Sequence, residues 1–158
     1  MAKKPAAKSH QALLVEQDKT IESFIDGVSR LIRITLSKNQ KDEDILEISE
    51  KFNAVKNRIP QQIVDAGRKS MWKYASAIAK EQEEVLLSKD FAQEYADVKD
   101  TLREEGEFEK FPMILNKVKF TWRCFNKGEK AHVWEIAKGM ISDLARLEQI
   151  NRELNPKV

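Results

Sequence analysis

The side chains best able to do chemistry are two histidines, one cysteine and several clusters of carboxylates. His10 and His132 lie far apart, and Cys124 stands between Arg123 and Phe125. A helical di-metal site requires a Glu-x-x-His motif on each of two facing helices, and no such pair of motifs occurs. The five glycines are isolated, so there is no phosphate-binding glycine loop. We therefore expect a protein that is not an enzyme and that uses no metal or cofactor.

The segment 110–130 has the strongest binding potential, because its basic side chains alternate with aromatic ones. Such a segment can stack on exposed nucleic-acid bases. At helical spacing, however, its apolar residues share one stripe, which favours a core role: Leu115, Val118, Trp122 and Phe125. Phe120 lies off this stripe and is the predicted interface contact. Lys117, Lys119 and Arg123 are then expected on the helix flanks, where they could contact a partner.

Two further features could bind a partner. The N-terminal arm, residues 1–9, carries Lys3, Lys4 and Lys8 among alanines and a proline. Such residues bury little apolar surface, so we expect a flexible basic arm that contacts nucleic acid or an acidic partner, or that merely solubilises the chain. Trp72 lies beside an apolar stripe rather than on it, so it either covers an edge of the core or anchors a partner.

Charge is unevenly distributed along the chain. The net charge is +4 over residues 1–41, −7 over residues 42–109 and +5 over residues 110–130, while the rest is neutral. This segregation favours complementary packing, either within the molecule or between copies.

The elements that must position these residues are helices, because the apolar period is helical nearly throughout. We predict an all-α fold, with one domain over residues 10–158, five to six helices and a long first helix over 11–36. The stripe of this helix is predicted to contain Leu14, Ile21, Ile25, Val28 and Ile32. The alternation in its last residues leaves a strand there as the alternative.

The remaining helices follow from caps, prolines and apolar spacing. Asp42 caps the second helix, which ends at Pro60. The third is predicted over residues 60–87 and would be about 40 Å long, with either a kink near Gly67 or an exposed far end. A fourth, capped by Ser88 or Asp90, carries residues 91–102, and a fifth covers 112–125. Residues 126–130 are predicted to form a C-cap and turn before the last helix at 131–154. Trp122 and Trp134, on either side of that turn, should both be core anchors.

The C-terminal half has a pattern that resembles a known group of proteins. Trp122 is followed by Arg-Cys-Phe, Asn126-Lys127 and then Val133-Trp134, and the segment EEVLLSKDF stands upstream at residues 83–91. This arrangement resembles small, largely uncharacterised helical proteins of nucleocytoplasmic large DNA viruses, which carry a similar ending and an upstream D-E-x-F-F-L-x-K-D segment. Val85 and Leu86 here replace the two aromatics of that segment. The resemblance covers roughly residues 60–150.

The resemblance implies a virion component or assembly factor without a cofactor, located in the virion or the host cytoplasm. We accordingly expect a non-enzymatic structural or assembly protein, such as a minor capsid or virion-associated protein, that contacts other virion proteins or copies of itself. A nucleic-acid-binding accessory protein and a cytosolic helical adaptor are the alternatives. No stretch of 18 apolar residues is present, so no membrane span is expected.

Overall fold

The computed structural model describes residues 9–91, 93–94 and 111–156. These residues are helical and contain no strand, so the predicted all-α class is confirmed and the strand alternative for the end of the first helix is wrong. The elements, in chain order, are α1 (His10–Lys38), α2 (Glu43–Val55), α3 (Pro60–Met71), a 3₁₀ turn (Trp72–Tyr74), α4 (Ala75–Ala79), α5 (Glu83–Leu87), α6 (Phe111–Thr121), a second 3₁₀ turn (Trp122–Cys124) and α7 (Lys127–Leu154).

The long helices α1 and α7 form an antiparallel pair along their whole length. Near one end the side-chain amide of Gln17 donates to Asn151 Oδ1 over 3.0 Å. Near the other end Lys38 Nζ lies 2.9 Å from a carboxylate oxygen of Glu129. The two ends of the described chain therefore supply the framework against which the shorter helices pack.

The centre of the core lies where α1, α3 and α6 meet. Phe24 of α1 is fully buried, and its ring stacks on that of Phe111 with 6.1 Å between centroids. Gly67 of α3 faces the same ring: a Cβ added there would lie 2.9 Å from Cε1 of Phe24 and nearer still to its Cζ. A glycine at this position therefore allows α3 to approach α1 closely.

The buried face of α1 differs from the predicted stripe. Leu13 is buried and Leu14 is 38% exposed. Ile21 and Ile25 are only partly buried. The buried residues of α1, which form a broader face than the predicted stripe, are Leu13, Thr20, Phe24, Gly27, Val28, Leu31, Ile32 and Thr35. The face is broad because α1 packs against α7 and also against α3 and α6.

The single helix predicted over residues 60–87 is wrong, because the chain breaks it in two places. Gly67 lies within an unbroken α3, and the first break comes at the 3₁₀ turn that follows it. The second is a turn at Glu81, whose φ is 52°. Leu86 and Leu87 then pack against the core, which a straight helix of this length would prevent.

The turn predicted at residues 126–130 is also wrong, since it is the beginning of α7. The side chain of Asn126 accepts a hydrogen bond from the Glu129 N–H, and the Glu129 carboxylate accepts one from the Asn126 N–H. This capping box satisfies first-turn donors and places Gly128 inside the helix.

Asp90 caps the predicted fourth helix, as its carboxylate accepts from the Gln93 N–H over 3.2 Å. Phe91 is buried. Residues 92 and 95–110, which include the rest of the predicted fourth helix, lie outside the described residues.

The two predicted tryptophan anchors are confirmed as core residues. Trp122 and Trp134 are 6% and 8% exposed. Their rings meet edge to face, with 5.5 Å between centroids. The short connection from the second 3₁₀ turn to α7 brings them together.

Candidate interaction surface and an apolar cavity

The end of α6 and the 3₁₀ turn after it present a basic and aromatic surface, which consists of the half-buried Lys119 and the exposed Phe120 and Arg123. The Phe120 side chain is 69% exposed, whereas the other residues of α6 are buried or half-buried. The predicted position of Phe120 off the core stripe is therefore confirmed. Lys119 Nζ lies 5.3 Å from the centre of the Phe120 ring and donates to the Lys89 carbonyl over 2.6 Å. Arg123 is exposed one turn further along and has no ionic partner among the described residues.

Lys117, predicted to be available for a partner, instead binds within the molecule. Its Nζ lies 2.9 Å from Asp42 Oδ2 and 3.5 Å from Asp44 Oδ2. Asp42 is also the N-cap of α2, where its other oxygen accepts from the N–H groups of Asp44 and Ile45. Part of the charge segregation seen in the sequence is thus used to pack α6 against the beginning of α2.

The Asp42–Lys117 contact shifts the pKa of both groups. The hydrogen bond from Lys117 holds the pKa of Asp42 below its ordinary value of 3.8, and the two backbone N–H groups add to this effect. Burial alone would lower the pKa of Lys117, but the hydrogen bond and charge of Asp42 outweigh it and raise that pKa.

Acid should weaken this contact. Folding lowers the pKa of Asp42. The ionised carboxylate therefore stabilises the folded state at pH values above the pKa that Asp42 has in the unfolded chain, and this stabilisation is lost as the pH falls through the pKa that it has in the folded chain. Asp42→Asn keeps a capping side chain but loses the charge, and we expect it to lower the free energy of unfolding by about 0.5–1 kcal/mol near neutrality. Denaturant melts between about pH 6 and about pH 2 should show this difference shrinking with acid. A difference that is constant over this range would contradict the assignment.

The other predicted contact residues are dispersed. Lys3, Lys4 and Lys8 lie outside the described residues, while Ser9, assigned to the arm, caps α1 by accepting from the Ala12 N–H. Trp72 is 43% exposed on the first 3₁₀ turn, where it could still contact a partner.

Sequence reasoning missed an apolar cavity of about 80 Å³ between the first 3₁₀ turn and helices α3, α5, α6 and α7. Four aromatic side chains contribute to its wall, namely Tyr74, Phe91, Trp122 and Trp134. Glu83 lies at its edge, where its carboxylate accepts from Trp122 Nε1 over 3.1 Å. No sequence signal could have revealed the cavity, because it depends on the unpredicted turn that brings Glu83 of α5 to Trp122 of the second 3₁₀ turn.

Ser70 of α3 is one of the residues that line this cavity. It is 7% exposed, and its hydroxyl oxygen is buried without a hydrogen-bond partner. Buried helical hydroxyls elsewhere in the chain differ, since those of Thr20 and Thr35 each donate to the carbonyl four residues earlier over 2.7 Å. The Ser70 hydroxyl is therefore a buried polar group without a hydrogen-bond partner among the described residues.

The histidines, the cysteine and the carboxylate clusters of the sequence do not assemble into a metal site in the described part of the chain. No group of three or more His, Cys, Asp or Glu residues there could hold a metal ion. His10 and His132 are exposed and lie on different helices. Cys124 is a free, exposed cysteine. The geometry described here supports binding, through one surface and one cavity.

Searches among protein-family models, curated proteins and solved structures find no match to this chain. Within residues 9–91, 93–94 and 111–156, none of the helices combines the length and the apolar character needed to cross a bilayer.

Proposed function

We propose that this protein is a non-enzymatic assembly protein that binds another protein through the Lys119, Phe120 and Arg123 surface. The observation that carries the proposal is the exposure of Phe120, an aromatic side chain on a helix whose other residues are covered. Exposed aromatics beside arginine are typical of the residues that dominate binding energy at interfaces.

The charges around Phe120 favour a protein with an acidic rim as the partner. Lys117 is compensated by Asp42 and Asp44, so the cationic charge available on α6 and its 3₁₀ turn is concentrated at Lys119 and Arg123. Affinity for duplex nucleic acid grows with the number of phosphates neutralised, which requires a larger set of free cations. A nucleic-acid accessory function remains the second candidate, supported by the lysine held over the Phe120 ring.

A virion accessory role is the particular form of assembly that we propose, and the sequence resemblance over residues 60–150 supports it. In that role the protein would co-sediment with assembled particles. The resemblance to viral proteins suggests that the protein acts in the virion, whereas the exposure of Phe120 suggests which surface contacts the partner.

Phe120→Ala should leave the free energy of unfolding within about 0.5 kcal/mol of the parent, because the side chain is mostly exposed. It should weaken co-sedimentation with particles, or self-association measured by sedimentation velocity, about tenfold or more. Arg123→Glu should act in the same direction.

Leu14→Ala is the matched control, because Leu14 is also an exposed apolar side chain. It lies near the beginning of α1, whereas the hydrogen bond between Asn39 and Thr121 joins the other end of α1 to α6.

Salt titrations of binding to duplex and single-stranded oligonucleotides separate the two candidate functions. Loss of assembly in the Phe120 and Arg123 variants without an effect on oligonucleotides supports the proposal. Oligonucleotide binding that weakens steeply with salt and is lost in Arg123→Glu supports the nucleic-acid function instead. Unchanged behaviour of both variants in every assay would contradict both.

A further inference from the structure

Large apolar side chains are exposed at several places on the described part of the chain, and Phe120 is the most exposed of them. The others are Leu14, Val15, Leu46, Trp72 and Val85. Single exposed apolar residues are normal on protein surfaces, so exposure alone does not mark an interface. Their charged neighbours distinguish them, because the polar rim of an interface carries charges that complement those of the partner.

Leu46 of α2 is the exposed apolar side chain with acidic neighbours on its own helix face. It is 39% exposed, and the buried residues of α2 lie on the other side of the helix. Glu43 lies one turn before it and Glu50 one turn after it, a spacing that places all three residues on one face. Both carboxylates are exposed, and neither is in an ion pair with another described residue. We define Glu43, Leu46 and Glu50 as the acidic α2 surface.

The remaining exposed apolar side chains have basic or mixed neighbours. Trp72 lies among basic residues, with Lys69 one turn before it and Lys73 next to it. Val85 has Lys89 one turn after it. One acidic and one basic residue lie a turn after the exposed leucine and valine of α1, so their charges cancel. Among these exposed positions of the described chain, the acidic α2 surface therefore best complements a basic and aromatic surface.

The acidic α2 surface and the Lys119, Phe120 and Arg123 surface match in composition and are opposite in charge. Each consists of one exposed apolar side chain with two charged side chains of the same sign beside it. Phe120 and Leu46 are both exposed in the single chain, so the two surfaces do not cover each other within one molecule. A second copy of the chain supplies the complementary surface for each of them.

We propose that the partner of the Lys119, Phe120 and Arg123 surface is a second copy of this protein, which binds through its acidic α2 surface. Phe120 packs on Leu46, and the carboxylates of the α2 surface lie beside the two cations. The inference rests on the proposed function, because it names the partner of the same surface. The contact joins two different surfaces, so each copy can supply either half. The opposite charges orient the two copies and raise the rate of association, and salt should weaken this effect.

Charge reversal on each surface, followed by mixing, tests the pairing. One variant carries Lys119→Glu and Arg123→Glu, and the other carries Glu43→Lys and Glu50→Lys. In either variant alone the two surfaces have the same sign of charge, so self-association measured by sedimentation velocity should weaken about tenfold or more. An equimolar mixture should restore association, because every contact between unlike copies again joins opposite charges.

Single variants test the apolar part of the contact. Leu46→Ala and Phe120→Ala should each weaken self-association, whereas Leu14→Ala, at another exposed leucine, should leave it unchanged. Circular dichroism checks that every variant keeps its helices. Arg123→Glu alone replaces the double variant if loss of the hydrogen bond from Lys119 to the Lys89 carbonyl unfolds the protein.

Restored association in the mixture supports the proposal. Association that persists in both charge variants, or that is lost in both and not restored by mixing, overturns it, and so does a parent chain that stays monomeric at every concentration. A monomeric parent whose co-sedimentation with particles is still weakened by Phe120→Ala overturns this inference alone and leaves the proposed function with a different protein as partner. If Phe120→Ala changes neither self-association nor co-sedimentation, both fail.

Discussion

Truncating Trp134 to alanine should lower the free energy of unfolding by about 3–5 kcal/mol, the usual range for a buried large aromatic side chain. The indole is 8% exposed and meets Trp122 edge to face, so its removal opens a void at the junction of α7 with the second 3₁₀ turn. Chemical denaturation monitored by circular dichroism measures the change.

Trp72→Ala is the control for this prediction. The same atoms are removed, but the side chain is 43% exposed and can be lost at a cost of about 1 kcal/mol or less. Equal losses in the two variants would contradict the placement of Trp134 in the core and of Trp72 at the surface.

Replacing Gly67 with alanine should destabilise the protein by about 2–3 kcal/mol, although alanine is the better helix former by about 1 kcal/mol. The added methyl group would overlap the ring of Phe24 and lie 3.2 Å from Phe111. The Phe24 ring is fully buried and stacked, so it cannot move aside without disturbing the packing of α1 on α3. Thermal and denaturant melts measure the effect.

Gly139→Ala, also inside an α-helix, is the control, and we expect it to raise the free energy of unfolding. A Cβ at this position of α7 would meet nothing within 4 Å. The substitution should therefore stabilise the protein by about 0.5–1 kcal/mol through helix propensity and reduced freedom of the unfolded chain. If both alanine variants stabilise the protein, the close approach of α3 to α1 is not as described.

The all-α class and the main core residues could be predicted from the sequence, because they depend on the spacing of apolar residues close together in the chain. The stripe Ile45, Ile48, Phe52 and Val55 is buried as the period requires. Asp42 caps α2, and Pro60 begins α3, for reasons that involve only neighbouring residues. Trp122 and Trp134 are core residues because each lies in an apolar stripe.

The parts that sequence analysis did not predict depend on contacts between distant elements. The turn at Glu81 places a non-glycine residue at positive φ, and it brings Glu83 of α5 to the indole of Trp122 in the second 3₁₀ turn. The pairing of Lys117 with Asp42 joins residues far apart in the chain. The cavity beside Ser70 depends on the same turn, so it was not visible in the spacing of residues.

The antiparallel pairing of α1 with α7 also has a consequence for synthesis on the ribosome. The apolar face of α1 leaves the exit tunnel before α7, which covers much of it. At about 5–20 residues per second, the residues of α1 that pack on α7, such as Gly27 beside Met140, wait on the order of ten seconds for that helix. This part of the core can close only after α7 has emerged, and a nascent chain that stalls before α7 exposes an apolar surface to chaperones or to aggregation.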